Sequence, residues 1–443
     1  MTVTMMKNKL EQALAEQYEA VAAKLPGGES VAVARKAALA RFNDLGLPHR
    51  RIEEWRYTDL RNAVKDPLPL AVGDDATPVG AGDVAIALGS LAEIAGPRAV
   101  FVDGVFRADL SRLQPVKGLD VMSLALALES GPDKPASDLV GGADKAEDGV
   151  QALNSAYVTD GGVVRVRPKT KLDLPLMLVF LRAGGEPRMT ATRNVVSVGP
   201  GAEATIVEVH AAVAGAAAVG QTNAATELFV AEGAQVSHLK VVTDTAKATH
   251  LANWNATLEA NATYRGFQLT AGAALARNSV RVTFHGSHAR LDLSGAFLGR
   301  GGDHVDTTLT VDHAMPHCES RELFKGVLDG HAKGIFQGKV IVRPDAQKSD
   351  GKQMAQALML SPDAEFDSKP ELEIYADDVV CGHGSTAAEL DDDLLFYLMA
   401  RGIPRAEARA LLIESFIGEA IDKVEHEGLR EAMMEIAKRW LAA

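Results

Sequence analysis

The chain has 443 residues, 47% of them apolar, and 46 Lys and Arg against 59 Asp and Glu leave a net charge of −13. That length calls for roughly two to four domains with real cores, which excludes a disordered protein, and the acidic balance excludes sequence-independent nucleic-acid binding. Two cysteines, Cys318 and Cys381, exclude a disulfide framework and suit a reducing, cytoplasmic compartment.

The opening "MTVTMMKNKLEQALAEQYEAV" has no apolar h-region, so no secretory signal is expected. No window reaches the roughly 20 apolar residues of a membrane span. Residues 5–60 read helical, with Leu10, Leu14, Tyr18, Val21 and Leu25 on one stripe. "PGGES" (Pro26–Ser30) ends that helix, and Ser30 is expected to cap the next. "EEWRYTDL" (Glu53–Leu60) mixes aromatic and charged residues and reads as a packing corner.

"DPLPLAVGDDATPVGAG" (Asp66–Gly82) reads as a linker. Short strands, "VAIAL" and "AVFVDGVFR", follow it, and then two helical pieces, "DVMSLALALES" and "GVQALNSAYV", separated by a long exposed loop. From Gly161 onward, strand-length runs of Val, Ile, Leu, Thr and Phe succeed one another with almost no helical periodicity. Many begin after a small or polar residue followed by Ala, at Ala202, Ala234, Ala262, Ala289, Ala332 and Ala364, in steps of 32, 28, 27, 43 and 32 residues. A unit of that length suits one coil of short strands that buries its apolar face against neighbouring coils. The pattern favours a parallel β-helix over a Greek-key sandwich, because most joints lack the tight Asp-Gly hairpins a sandwich prefers.

Helices return after Gly384. "DDDLLFYLMARG" has acids at its start and ends on Gly402, with Pro404 at the expected first position of the next helix. Leu412, Ile413, Phe416, Ile417, Ala420, Ile421 and Val424 then form an apolar stripe, which Gly428 is expected to break before a last amphipathic helix. This tail suits either a cap on the coil stack or a docking surface for a partner.

Two stretches carry chemistry. In "LEIYADDVVCGHGSTAAEL", Cys381 and His383 are two apart, so on a strand they share a face, and Gly382 and Gly384 keep that neighbourhood open. The residues alone leave open a structural pair, a nucleophilic Cys–His pair and a metal or sulfur site, since thiolate plus imidazole suits zinc, copper or an iron–sulfur species. A conventional cluster takes four ligands, mostly thiolates. With two thiols 63 residues apart, the chain must share such a site with another chain or leave it incomplete. The second stretch crowds His304, His313, His317 and Cys318 with Asp303, Asp306 and Asp312. Pro316 argues against a helical His313–His317 pair, so this region reads as a turn-rich structural joint.

From His313 to Val424, "HAMPHCESRELFKGVL", "GIFQGKVIV", "KPELEIYADDVVCGHGSTAAELDDDLLFYLMARGIP" and "ARALLIESFIGEAIDKV" resemble the SufB/SufD family of iron–sulfur cluster assembly scaffolds, as does "EEWRYTDL" near the start. Having only two cysteines, the chain looks like the SufD side of the family. The resemblance implies a mainly β fold, a right-handed parallel β-helix with N- and C-terminal helical domains. Together with the composition breaks it divides the chain into an N-terminal helical domain (1–75), a mixed α/β segment (76–160), a β-helix core (161–385) and a C-terminal helical domain for ATPase docking (386–443). It implies a non-enzymatic subunit of a complex with SufB and the SufC ATPase, acting on a transient Fe–S cluster shared with SufB. His383 is then a candidate cluster ligand facing SufB, Cys381 is its neighbouring thiol, and Cys318 is structural. The resemblance also implies reduced flavin as a cofactor of the assembled complex. No G-x-x-x-x-G-K-[ST] run appears, so ATP hydrolysis falls to a partner. Two rival readings are a stand-alone homodimer for metal or sulfur transfer and a β-helix enzyme acting on polysaccharide, the fold by itself permitting the latter.

Overall fold

The computed structural model describes residues 9–73, 78–130 and 148–442. The exposed loop expected after Ser130 lies outside the described residues up to residue 147, as do residues 74–77 of the expected linker.

Helix α1 (Lys9–Val21) buries Leu10, Leu14 and Tyr18, as the stripe requires. Helix α2 (Glu29–Leu45) starts two residues earlier than a Ser30 cap would place it. Gly28 is its N-cap without a side-chain bond, so Ser30 lies inside the first turn and caps nothing. Glu29 supplies the acid that a helix start favours. The "EEWRYTDL" stretch is indeed a packing corner. A short 3-10 turn (Glu53–Trp55) buries Trp55, and the Arg277 guanidinium stacks 3.8 Å from that ring. Asp59 then accepts from the Arg61 N–H to cap α3 (Leu60–Ala63).

"VAIAL" is not a strand but most of helix α4 (Ala81–Leu88). The Asp83 side chain accepts from the Gly80 N–H at 2.8 Å, and Gly89, with φ of 54°, closes the helix. A five-residue apolar run alone does not separate a helix from a buried strand. "AVFVDGVFR", expected as a short strand, holds most of two, β1 (Arg98–Val102) and β2 (Val105–Phe106), joined as an antiparallel hairpin. "DVMSLALALES" splits into β3 (Leu119–Ser123) and α5 (Leu124–Glu129), because Ser123 accepts from the Leu126 N–H and starts the helix there. Helix α6 (Gly149–Tyr157) packs on α1 and α2, and the Tyr157 hydroxyl donates to the Leu14 carbonyl.

Gly149 is needed for that close approach, since a Cβ there would stand 1.9 Å from the Gly46 carbonyl oxygen. Gly149→Ala is expected to force α6 off α2 and cost about 1–3 kcal/mol. A thermal melt checks this, and an unchanged midpoint would show that the two helices separate freely.

The core is a parallel β-solenoid wound from two sheets. The nine-stranded sheet runs β3, β4 (Gly162–Val166), β6 (Arg188–Val198), β8 (Gly220–Val230), β10 (Ala248–Leu258), β12 (Leu275–Phe284), β14 (His304–His313), β16 (Lys333–Val342) and β18 (Glu365–Ile374). The ten-stranded sheet runs β2, β1, β5 (Leu176–Arg182), β7 (Glu203–Ala212), β9 (Gln235–Thr243), β11 (Thr263–Thr270), β13 (Arg290–Gly299), β15 (Glu319–Leu328), β17 (Asp350–Met359) and β19 (Val380–Ala388). Through the solenoid each strand pairs in parallel with the strand two positions later, whereas β1–β2 and β3–β4 at the start are antiparallel. The enclosed lumen holds one continuous apolar cluster, running from Phe101 through Ile206 and Leu293 to Val342 and Ala357, with buried polar side chains set into it.

One corner shows why the coils stack. Lys169, Gly201, Gly233, Asn261, His288, His317 and Lys348 all adopt positive φ, between 57° and 65°. Each donates its N–H to a carbonyl of the next coil, as Gly201 does to Glu232 and His317 to Gln347. From Gly201 to His317 the next residue turns inward each time: Ala202, Ala234, Ala262, Ala289 and Cys318, all fully buried. The 43-residue step in the alanine spacing therefore joined two different corners, because Cys318 takes the alanine's place at this one and Ala332 precedes β16 on the other side.

After the solenoid come α7 (Asp392–Ala400), α8 (Arg405–Ile421) and α9 (Glu427–Ala442). Pro404 is the N-cap of α8 rather than its first residue, and Gly428 lies inside the first turn of α9 instead of breaking the chain before it. Ile413, Ile417, Ala420 and Ile421 join Met433 and Ile436 against the outer face of the ten-stranded sheet, on Val241, Leu269, Leu298 and Val327. The tail is thus a lateral cover, not a cap on the stack. Among the described residues no helix is long and apolar enough to cross a membrane.

Candidate functional site at the open end of the solenoid

Every coil but the last is covered by the next. Strands β18 and β19 end their sheets with no further neighbour among the described residues, so each leaves one row of backbone N–H and C=O groups unpaired by them. The lumen core thins there to half-buried side chains, among them Phe366, Leu372, Val379 and Cys381. Ile374, Tyr375 and Val380 on the same rim are exposed.

Cys381 and His383 lie in β19, as the strand reading required, and register fixes where they face. Cys381 pairs with Gly351, His383 with Gln353 and Ser385 with Ala355. Gln353 and Ala355 are buried in the lumen, so their partners, two residues apart, continue the inward face. The Ser385 hydroxyl confirms this by donating across the lumen mouth to Ser368 of β18 at 2.7 Å. The structure therefore brings the thiol and the imidazole together on the inner lip of the open end. His383 is exposed there and Cys381 half-buried.

Burial pushes the Cys381 thiol up, the Gly351 N–H partly offsets this, and the Asp350 carboxylate adds to the rise. The thiol is protonated at neutral pH and stands at the second residue of a strand, not in the first turn of a helix. That suits a ligand that releases its proton as a cation arrives better than a primed nucleophile. Beneath this pair lie two residues to which nothing in the linear pattern pointed. Glu322, Gln353 and His383 occupy successive rungs of one column. Glu322 is fully buried, and burial pushes its carboxyl up to about 8, so it is neutral at pH 7. Only the coil register reveals it, since 61 residues separate it from His383 in sequence.

The other stretch comes apart. His304 shares a hydrogen bond with Thr58 at 2.9 Å, and Asp306 accepts from both Thr58 and Arg277. Asp312 pairs with Arg343, and Asp303 accepts from the Arg300 N–H. His313 is buried in the lumen, where its Nε2 meets the Ser320 hydroxyl at 3.0 Å. His317 stacks on His288 at the corner, with ring centroids 4.7 Å apart. Cys318 is buried, 3.4 Å from the Gly286 carbonyl, and burial raises its thiol. This joint is a strand, a corner and a second strand rather than a run of turns. Among the described residues no group of three or more His, Cys, Asp and Glu has metal-holding geometry.

A second polar assembly lies deeper in the lumen. Glu208 accepts from His210 Nε2 at 2.6 Å, from Thr226 at 2.7 Å, from Asn194 at 3.1 Å and from the Lys240 ammonium. Burial alone would raise its carboxyl, but Lys240 and the neighbouring rings hold it well below the usual range.

Comparison with known proteins gives two matching family models. The one described as "SUF system FeS cluster assembly, SufBD core domain" matches residues 180–416, and the "SufBD protein N-terminal region" matches residues 8–178. An iron–sulfur cluster assembly SufBD family protein of Synechocystis is 30% identical over 397 residues, 88% of this chain and 86% of its own length. The iron–sulfur cluster assembly protein SufD of Escherichia coli is 29% identical over 394 residues, 88% of each chain. SufD of Bacillus subtilis is 25% identical over 425 residues, 91% of this chain and 92% of its own.

Proposed function

The chain belongs to the SufBD family of SUF-system iron–sulfur cluster assembly proteins and is SufD-like, and from that premise we propose that it is a non-enzymatic cytoplasmic scaffold whose open solenoid end pairs with SufB. The observation that carries this reading is the terminal coil. Two uncovered strand edges, a half-buried apolar lip and the inward-facing Cys381 and His383 meet at one surface. A strand edge is a template for another chain's strand, and such pairing would seal the lumen mouth.

The nascent Fe–S cluster is the cargo of this joint. His383 and Cys381 offer one imidazole and one thiol, fewer donors than a cluster takes, so the remaining ligands come from SufB. An incomplete set on each side lets the finished cluster leave. The imidazole is the weaker donor and is released on protonation.

The SufC ATPase docks on α7. The stripe of α8 is used up against the sheet, whereas Leu394, Phe396, Tyr397 and Met399 of α7 are exposed, Phe396 by 73%, beside exposed Leu411 of α8. ATP-driven movement of these helices would open the SufB joint to iron and sulfide. Reduced flavin belongs to the assembled complex in this reading, and no residue of this chain is assigned to it.

Co-expression with SufB and SufC tests the proposal. His383→Ala is expected to lower cluster content by about tenfold or more, as loss of a ligand's shell does, while the purified complex keeps its composition. Undiminished cluster content would remove His383 from the site. Recovery of this chain only as a homodimer, with SufB present, would favour the stand-alone transfer protein instead.

A further inference from the structure

We propose that Gln353, backed by Glu322, is a positioning residue for His383: its side-chain oxygen accepts the N–H of one imidazole nitrogen, which leaves the other nitrogen bare and facing the open end. The inference rests on the reading of His383 as a cluster donor and deepens it.

The argument is geometric. Glu322, Gln353 and His383 are partners in consecutive in-register parallel rungs. Adjacent strands lie about 4.8 Å apart, so like-facing side chains of neighbouring rungs touch. Gln353 is 3% exposed, yet neither its Oε1 nor its Nε2 has a hydrogen-bond partner among the described residues. Both carboxyl oxygens of Glu322, one rung further in at 2% exposure, also lack a partner in hydrogen-bond geometry among the described residues, the nearby Ser320 hydroxyl only partly offsetting the effect of burial. Four unpaired buried polar atoms in two adjacent rungs are costly, at about 1–3 kcal/mol each.

Space has been made for this amide. A Cβ on Gly338 of the facing sheet would fall 2.2 Å from Gln353 Nε2, so glycine at 338 admits the side chain across the lumen. The rung below offers Glu322 and the rung above offers His383. One arrangement satisfies all three: Gln353 Nε2 donates to a Glu322 oxygen, and Gln353 Oε1 accepts from the imidazole. Metal-binding histidines nearly always have their second nitrogen held in this way, which fixes tautomer and ring direction. Cys381 needs no such support, because its rung partner is Gly351 and the thiol has one donor atom.

Ring-¹⁵N-histidine NMR of the full chain tests this, with the His383 signals identified by their loss in His383→Ala. Wild type is expected to show two well-separated His383 ring nitrogens, one protonated and one bare. Gln353→Met should collapse them toward the averaged positions of a free ring, and Glu322→Leu should do so in part. Glu322→Gln, which keeps a carbonyl acceptor, should leave them in place. In the complex with SufB and SufC, Gln353→Met should lower cluster content by about ten- to a hundredfold. Unchanged His383 signals in Gln353→Met overturn the proposal. If that variant does not fold, the contrast between Glu322→Leu and Glu322→Gln decides it, and equal spectra overturn it. Cluster content in His383→Ala reports separately on the cluster-donor reading, since the NMR result needs no cluster.

Discussion

Lys240→Met is expected to destabilise the chain by about 3–5 kcal/mol, read as a drop in the denaturant midpoint. Lys240 is 1% exposed and lies in the lumen against Glu208, which is itself 0% exposed. Because Glu208 is held ionised, removing the ammonium leaves a carboxylate in a medium that cannot solvate it. Asn194, Thr226 and His210 still donate to it, but they bring dipoles rather than a charge. The carboxyl then either takes up a proton or stays charged at high cost, and both routes draw on folding free energy. The partner variant separates a lost attraction from a stranded charge. Glu208→Gln with Lys240→Met removes both charges and keeps an acceptor for Asn194 and Thr226, so most of the loss should be recovered. A double variant as unstable as Lys240→Met alone would show that packing around the lysine stem, not the unpaired carboxylate, sets the cost. The open end lies several coils away, so the cluster content of folded complex should not change.

The same lumen chemistry explains what could be read in the sequence. Apolar strands such as "LMLVFLRA", buried on both faces, and "SVRVTF", whose inward Val and Phe alternate with polar outer positions, are plain in the sequence, and so is a repeat near 30 residues. Strands β10, β15 and β17 were not legible. Their inward positions include His250 and Trp254, then Glu322, then Gln353, so the alternation that marks a half-buried strand is broken by buried polar side chains. The same substitution hid one corner, where Cys318 stands in an alanine's place. Cys381 and His383 stood out because a rare thiol, an imidazole and two glycines are adjacent in sequence. Glu322 and Gln353 are neighbours of His383 only through coil register, which no local window contains. The end of the stack was equally hidden. A strand edge stays uncovered only if no later segment pairs with it, and α7 to α9 turn away to the side of the solenoid instead of closing it.

Acidification is the other large effect, and its sign follows from which groups the lumen keeps neutral. Burial, joined by Lys240, pushes His210 down to about 4, and burial pushes His313 down to about 4. His250, whose two ring nitrogens have no partner among the described residues, is lowered well below its ordinary value by burial, with His210 and Lys240 adding to it. An unfolded histidine titrates near 6.5. Between 6.5 and about 4 the unfolded chain therefore binds protons that the folded chain refuses, so stability is intact above 6.5 and falls as the pH drops through that window. The shift for His210 or His313 corresponds to a loss on the order of 3 kcal/mol per ring by the bottom of the window. Glu322 works the other way. Its raised pKa means that its stabilising contribution grows as the pH falls from about 8 towards the unfolded carboxyl value, which offsets one ring at most. Glu208, held low, adds a further loss below the ordinary carboxylate range. The denaturant midpoint should thus be highest near pH 6–7 and drop steeply by pH 4.5, and His313→Gln should shallow that slope by about one ring's share. A midpoint that stays level from pH 6.5 to 4.5 would mean that the lumen admits water and lets these rings charge in place, and a wet lumen would also deprive Glu208 and Lys240 of the low-dielectric surroundings on which the cost of separating them depends.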